Sequence, residues 1–259
     1  MNAGFWVIYK KEIKSLFFSP TFYMMCVPLC LIFSWNFGNS IATFSQASSM
    51  AMMQPGVSPQ QTNIHYGVFL RHLSVVNLIL ILIVPAITMR LVSEERKLRS
   101  FDLLLTSPVT SFDIIFGKFL AAMTGLFGIL TLAFVYPMST VMLTTFQWAP
   151  LLIATLGIFL VGGVYVSMNL FCSSLTESSL IAFVMSVIMN ISIWFIGQAL
   201  EHAETSGLRS VLEHLSLSTH LSGIVEGTIR SQGLIFLFSV MALFVFLSER
   251  VVESMRWRA

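Results

Sequence analysis

Eight charged residues, Glu94, Glu95, Arg96, Lys97, Arg99, Asp102, Asp113 and Lys118, fall in one stretch, EERKLRSFDLLLTSPVTSFDIIFGK, between two long apolar runs. A membrane protein places so many charges between two spans where the insert meets water or a partner protein. Phe101, Leu104 and Leu105 recur at i, i+3 and i+4 with Asp102 off that face, which predicts a short amphipathic helix lying along a membrane surface. Thr106-Ser107-Pro108 ends it, because the residue before a proline disfavours the helical region. Ser111 is the expected N-cap of the next helix, with Asp113 in its first turn, where the helix dipole favours an acid. A solvated loop would account for the same charges, so periodicity leaves both readings open.

Other residues with chemical potential are scattered. Cys26 and Cys30 are one helical turn apart beside Met24 and Met25, a soft ligand set suited to Cu(I), though buried thiols are more simply packing residues. Met50, Met52 and Met53 invite the same comparison. Five histidines, His65, His72, His202, His214 and His220, match no zinc-ligand spacing, and no metal site is assigned. Arg71-His72 is expected to snorkel at the end of a span, and Glu177 to cap a turn in solvent. The apolar runs contain neither a Ser/His/Asp set nor a carboxylate pair, which argues against an intramembrane hydrolase and a proton-coupled transporter. Gly117-Lys118 lacks the upstream glycine and following hydroxyl of a phosphate-binding loop, so ATP hydrolysis by that route and a catalytic site are not expected.

The elements that carry these residues follow from composition. Of 259 residues 56% are apolar and 10% charged, against about 25% charged in soluble domains; mean hydropathy is +0.85. Residues 15–70, 119–176, 178–200 and 231–248 contain no Asp, Glu, Lys or Arg. A bilayer core takes about 20 apolar residues per helix, so the chain is predicted to be an all-α polytopic membrane protein. Six spans are expected, near 21–44, 69–91, 116–143, 151–170, 179–200 and 234–247, with Pro137 as a kink. Gly157, Gly162 and Gly163 suit close helix contact. Residues 1–20 form an interfacial amphipathic helix, with Phe5, Trp6, Tyr9, Ile13, Leu16 and Phe17 opposite Lys10, Lys11 and Lys14. Residues 21–259 form the six-span domain. Within it, 201–230 is read as an external helical hairpin dipping into the outer leaflet, with surface helices as the alternative. The spans show no distinctive polar lining, and a net charge of +2 gives no reason to expect nucleic acid.

With six spans, eleven of the fourteen basic residues share one side with both termini and the 94–118 segment, and Arg71, Arg209 and Arg230 lie on the other. Basic residues concentrate in cytoplasmic loops, so both termini are expected in the cytoplasm.

Glu94-Glu95-Arg96, then Leu103-Leu104-Leu105-Thr106-Ser107-Pro108, then Gly117-Lys118 resembles the ABC-2 type permeases, the membrane subunits of a class of ATP-binding cassette transporters. The C-terminal part, His214-Leu215-Ser216-Leu217-Ser218-Thr219-His220, Gly227 and Leu247-Ser248-Glu249-Arg250-Val251-Val252-Glu253-Ser254 with Arg256-Trp257, is similar to the gliding-motility-associated short permeases. The resemblance extends over essentially the whole chain. Where the family often has Gly-Thr, this chain has Arg99-Ser100, a departure that puts the local turn in doubt.

The resemblance implies a mechanism. Residues 95–105 would be a cytoplasmic coupling helix docking on a separate ABC ATPase, which binds the ATP; the permease itself carries no cofactor. Glu94, Glu95, Arg96, Arg99, Ser100, Phe101, Leu104, Leu105, Ser107, Pro108, Gly117 and Lys118 are the expected docking segment. Further implied partners are a second permease copy or related subunit, membrane lipid and an auxiliary envelope subunit. The expected location is the bacterial inner membrane, and the expected task is export or mechanical work. The alternative is a non-transporting scaffold that recruits partners through the same segment.

Overall fold

The computed structural model describes residues 3–53, 63–98, 101, 109–142, 146–199, 209, 212, 216–225 and 231–256. Among these the chain is helical and without strands. Helix α1 is Ala3–Phe17 and α2 is Pro20–Met53. A π-helical turn, His65–Phe69, leads into α3, Leu70–Thr88, and a short α4, Ser93–Lys97, follows. Then come α5, Ser111–Ser139, α6, Trp148–Leu175, α7, Ser179–Ala199, α8, Leu217–Val225, and α9, Ser231–Arg256.

Six of these stretches are long and apolar enough to cross a membrane. The sixfold expectation therefore holds, but the bounds move. Helix α2 continues past the expected end of the first span through Ser45, Gln46 and Ser48 to Met53, a length of about 51 Å at 1.5 Å per residue. Uncharged polar residues mixed with Ala and Met do not stop a helix. Pro137 lies in the last turn of α5, just before a 3₁₀ turn at Thr140–Met142, so it precedes the helix end instead of kinking the middle.

The bundle is built around α6. In its most apolar window 72% of residues are buried, against 17% in α7 and 22% in the first span. Helices α3, α5, α7, α8 and α9 all pack on it. Its glycines permit that crowding: a β-carbon at Gly162 would lie 2.7 Å from Leu126 Cδ2, and one at Gly163 2.8 Å from Met241 Sδ. At Gly157 the same atom would meet Ile224 Cγ2 at 2.7 Å. Helix α8 thus rests on α6 about 14 Å in from the start of that helix, by the helical rise. Leu217 and Ile224 are buried, which fits a helix inserted against the bundle better than one lying outside it. Of the rest of the 201–230 hairpin, only Arg209, Leu212 and Ser216 are described.

Two expectations for the spans are corrected. His72 does not snorkel: it is fully buried, its Nε2 is 3.1 Å from the Ala133 carbonyl oxygen, and Phe33, Phe37 and Tyr136 surround its ring. Arg71 alone reaches outward, donating to Thr43 Oγ1 at 2.7 Å. The interior is also less uniformly apolar than composition suggests. Asn169, Ser186 and Asn190 are fully buried, and Asn190 Nδ2 donates to the Ile81 carbonyl at 3.2 Å, joining α7 to α3 inside the bundle.

Candidate functional site

The charged residues gather where α1, α4 and the start of α5 meet. Helix α1 lays Phe5 and Ile8 on α5, both buried. Gly117 admits this approach, since a β-carbon there would sit 3.2 Å from Ile8 Cγ2. Trp6, on the apolar face expected of an interfacial helix, is 48% exposed, because the contact face on α5 is the narrow row of Phe5, Ile8 and Glu12. Residues three and then four further along fall on the same stripe of a helix. The stripe therefore ends in an acid.

That acid meets Lys118. The Lys118 ammonium is fully buried; it donates to Glu12 Oε1 at 2.8 Å and to the Leu91 carbonyl oxygen at 2.5 Å, and forms an ion pair with Glu95 Oε2 at 2.7 Å. Lys11 Nζ lies 2.5 Å from Glu95 Oε1 and 3.7 Å from Glu12 Oε1. Two cations and two anions thus form a balanced quartet. Its members come from α1 (Lys11, Glu12), α4 (Glu95) and α5 (Lys118). Burial works against the charge on Lys11, but Glu95 and Glu12 outweigh it and hold the ammonium above the usual lysine value.

Two further ties fix the same end of the bundle. Ser173 of α6 accepts from the backbone N–H groups of Val92 (3.3 Å) and Ser93 (3.2 Å), and donates to the Met89 carbonyl at 3.0 Å. Arg96 donates to the Ser174 carbonyl at 2.8 Å and pairs with Glu177 at 3.2 Å. The turn between α6 and α7 thereby grips α4, and Glu177 is an ion-pair partner instead of a lone solvated cap. At the other end of the segment, Ser111 Oγ donates to Glu253 Oε2 of α9, and Arg256 donates to the Val109 carbonyl at 2.6 Å.

The N-cap of α5 is Thr110, one residue before the expected Ser111. Thr110 Oγ1 accepts from the Asp113 backbone N–H at 3.1 Å and donates to the Asp113 carboxylate at 2.7 Å. The Ser111 hydroxyl is committed to Glu253, so it is not free to cap.

The expected docking residues divide. Glu94 and Arg96 lie at the partly open surface, Glu94 3.9 Å from Arg90. Glu95 is inside the quartet. Phe101, Gly117 and Lys118 face inward and are buried, so these side chains position the segment and do not present a surface for contact. Arg99, Ser100, Leu104, Leu105, Ser107 and Pro108 lie outside the described residues. The asymmetry of basic residues puts Lys11 and Arg256 at this end without assigning their contacts, and sequence reasoning missed Glu12, Ser173 and Glu253 as parts of it. One signal was present for Glu12: an acid spaced seven residues from Phe5, on the apolar stripe, requires a buried cation.

Among the described residues the arrangement is a set of ion pairs and hydrogen bonds: the 94–118 segment is tied to α1 and α5 through the quartet, to α6 through Ser173 and to α9 through Glu253. The model of the ABC-2 family transporter protein matches residues 6–225 of this chain. The chain belongs to that family. It is therefore a membrane permease component of an ABC transporter, the part that is generally not itself the ATPase. No individual curated protein matches the permease. The match stops before α9, yet α9 of the permease supplies Glu253 to Ser111 and Arg256 to the Val109 carbonyl.

Proposed function

We propose that the permease couples ATP hydrolysis by a separate ABC ATPase to export or mechanical work across the bacterial inner membrane. Both termini and the 94–118 segment face the cytoplasm in this reading, supported by the eleven basic residues on that side. The 94–118 segment is the docking element, and the part outside the described residues, with Leu104 and Leu105, carries the contact. The observation that supports this best is the buried Lys118 held between Glu12 and Glu95. It gives the segment a stiff base, so that ATPase closure would move packed helices as a body. A second copy or a related permease subunit would complete the pathway. The exposed apolar residues of α2 (Tyr23, Met24, Leu31, Trp35) and α7 (Leu180, Ile188, Phe195) offer it a surface. We propose further that the permease is of the gliding-motility-associated short type, which its C-terminal residues Leu247 to Trp257 resemble.

The direct test is purification of the tagged permease from its native membrane, followed by mass spectrometry of what accompanies it. A stoichiometric ABC ATPase supports the reading, and any further envelope subunit narrows the task. A permease that retains other partners but no ATPase would favour the scaffold alternative.

A further inference from the structure

A cleft of about 580 Å³ opens between the α1–α2 elbow and the end of α3. One wall is apolar, formed by Leu16, Phe22, Met25, Ala86 and Ile87. The charged lining is Lys11, Arg90 and Glu94, with Glu12 and Glu95 already paired to the quartet lysines, and the elbow adds the hydroxyls of Ser15, Ser19 and Thr21. The volume falls within the range of small-ligand sites, roughly 300–1,000 Å³. An apolar wall under a polar rim fits an amphiphile, not a soluble metabolite.

The rim chemistry narrows the choice. The Arg90 side chain is 51% exposed, and its ion pair with Glu94 runs through Nε at 3.9 Å, too long for a hydrogen bond. A guanidinium fork with free donors suits a phosphate. Glu94, 47% exposed, suits a cation. A headgroup that carries a phosphate and an ammonium together complements both. On the same elbow Phe18 is 83% exposed, an apolar side chain suited to a lipid surface beside the cleft.

We propose that this cleft holds the headgroup and first acyl carbons of one phosphatidylethanolamine molecule from the surrounding leaflet. The phosphate rests on Arg90 and the elbow hydroxyls, the ammonium on Glu94, and the chains on Phe22, Met25 and Ile87. The lipid would wedge α1 against α3 beside the quartet. This needs the bundle to span a membrane and does not need the ATPase.

The test is native mass spectrometry of the full permease in mild detergent, delipidated and then titrated with phosphatidylethanolamine or phosphatidylglycerol. The expected result is one retained phosphatidylethanolamine per chain. Arg90→Ala, and Ile87→Trp, which fills the cleft, each weaken retention about tenfold, or roughly 1.4 kcal/mol. Ile235→Trp on the exposed face of α9 leaves it unchanged, and Glu94→Gln removes the preference over phosphatidylglycerol. Should Ile87→Trp fail to fold, the surface variant Arg90→Ala decides. Equal retention by the parent chain and Arg90→Ala would overturn the proposal in favour of annular lipid. Displacement of the lipid by millimolar inorganic phosphate would overturn it in favour of a simple anion site.

Discussion

Lys118 Nζ lies 2.7 Å from Glu95 Oε2, so the charged 94–118 segment closes on itself at its base. The same ammonium reaches Glu12 of α1, which anchors that base to the N-terminal helix. Everything assigned to the segment depends on this closure, because a docking element with a soft base would bend without moving the spans.

Lys118→Met leaves two carboxylates in a buried site without their central cation. Breaking a buried ion pair from one side costs about 3–5 kcal/mol. The expected outcome is a large loss of stability in detergent-solubilised thermal unfolding. Adding Glu12→Gln and Glu95→Gln to Lys118→Met should recover part of the loss, since the uncompensated charges go with them. A triple variant no more stable than the single one would show that the quartet is not a coupled unit.

The two ties between α4 and α6 should differ in weight. The Arg96–Glu177 pair has an exposed carboxylate, and pairs of that kind contribute about 0–1 kcal/mol. Ser173 is fully buried and satisfies two backbone donors. Its replacement by alanine strands them, at a cost of about 1–3 kcal/mol. Unfolding of Glu177→Gln beside Ser173→Ala measures the contrast, and equal effects would contradict it.

Gly162→Val should destabilise the bundle by about 1–3 kcal/mol, the usual range for overpacking a filled core. The added carbons meet Leu126, which is 1% exposed and cannot swing clear. Leu126→Ala in the Gly162→Val background should restore part of the stability. Thermal unfolding of the pair tests the contact, and strictly additive losses would mean that Leu126 is not what the new side chain strikes.

Much of the bundle was legible from residue order alone. Runs without a single charge mark the spans, since hydrocarbon tolerates few ionised groups, and Gly157, Gly162 and Gly163 in one helix announce close packing. The quartet was less legible. Lys118 reads as the cationic start of a span, and nothing local pairs it with Glu12 far upstream; only the docking of α1 on α5 brings them together. The cap at Thr110 was missed because the competing claim on Ser111 comes from Glu253, at the far end of the chain. His72 was misplaced for a related reason: its polarity suggested an edge, while Ala133 supplies a buried acceptor and three aromatic rings supply the packing. The long α2 escaped because Ser45, Gln46 and Ser48 look like loop residues, yet they break no helical rule.

The central claim is that the 94–118 segment carries the ATPase contact and passes its motion to the spans. The most direct measurement is ATP hydrolysis by the purified permease–ATPase complex in lipid vesicles, with the parent chain and with Leu104→Asp. The account predicts that hydrolysis falls about tenfold, or roughly 1.4 kcal/mol of lost coupling, while the variant permease unfolds at the parent temperature. Undiminished hydrolysis in a complex containing Leu104→Asp would contradict it.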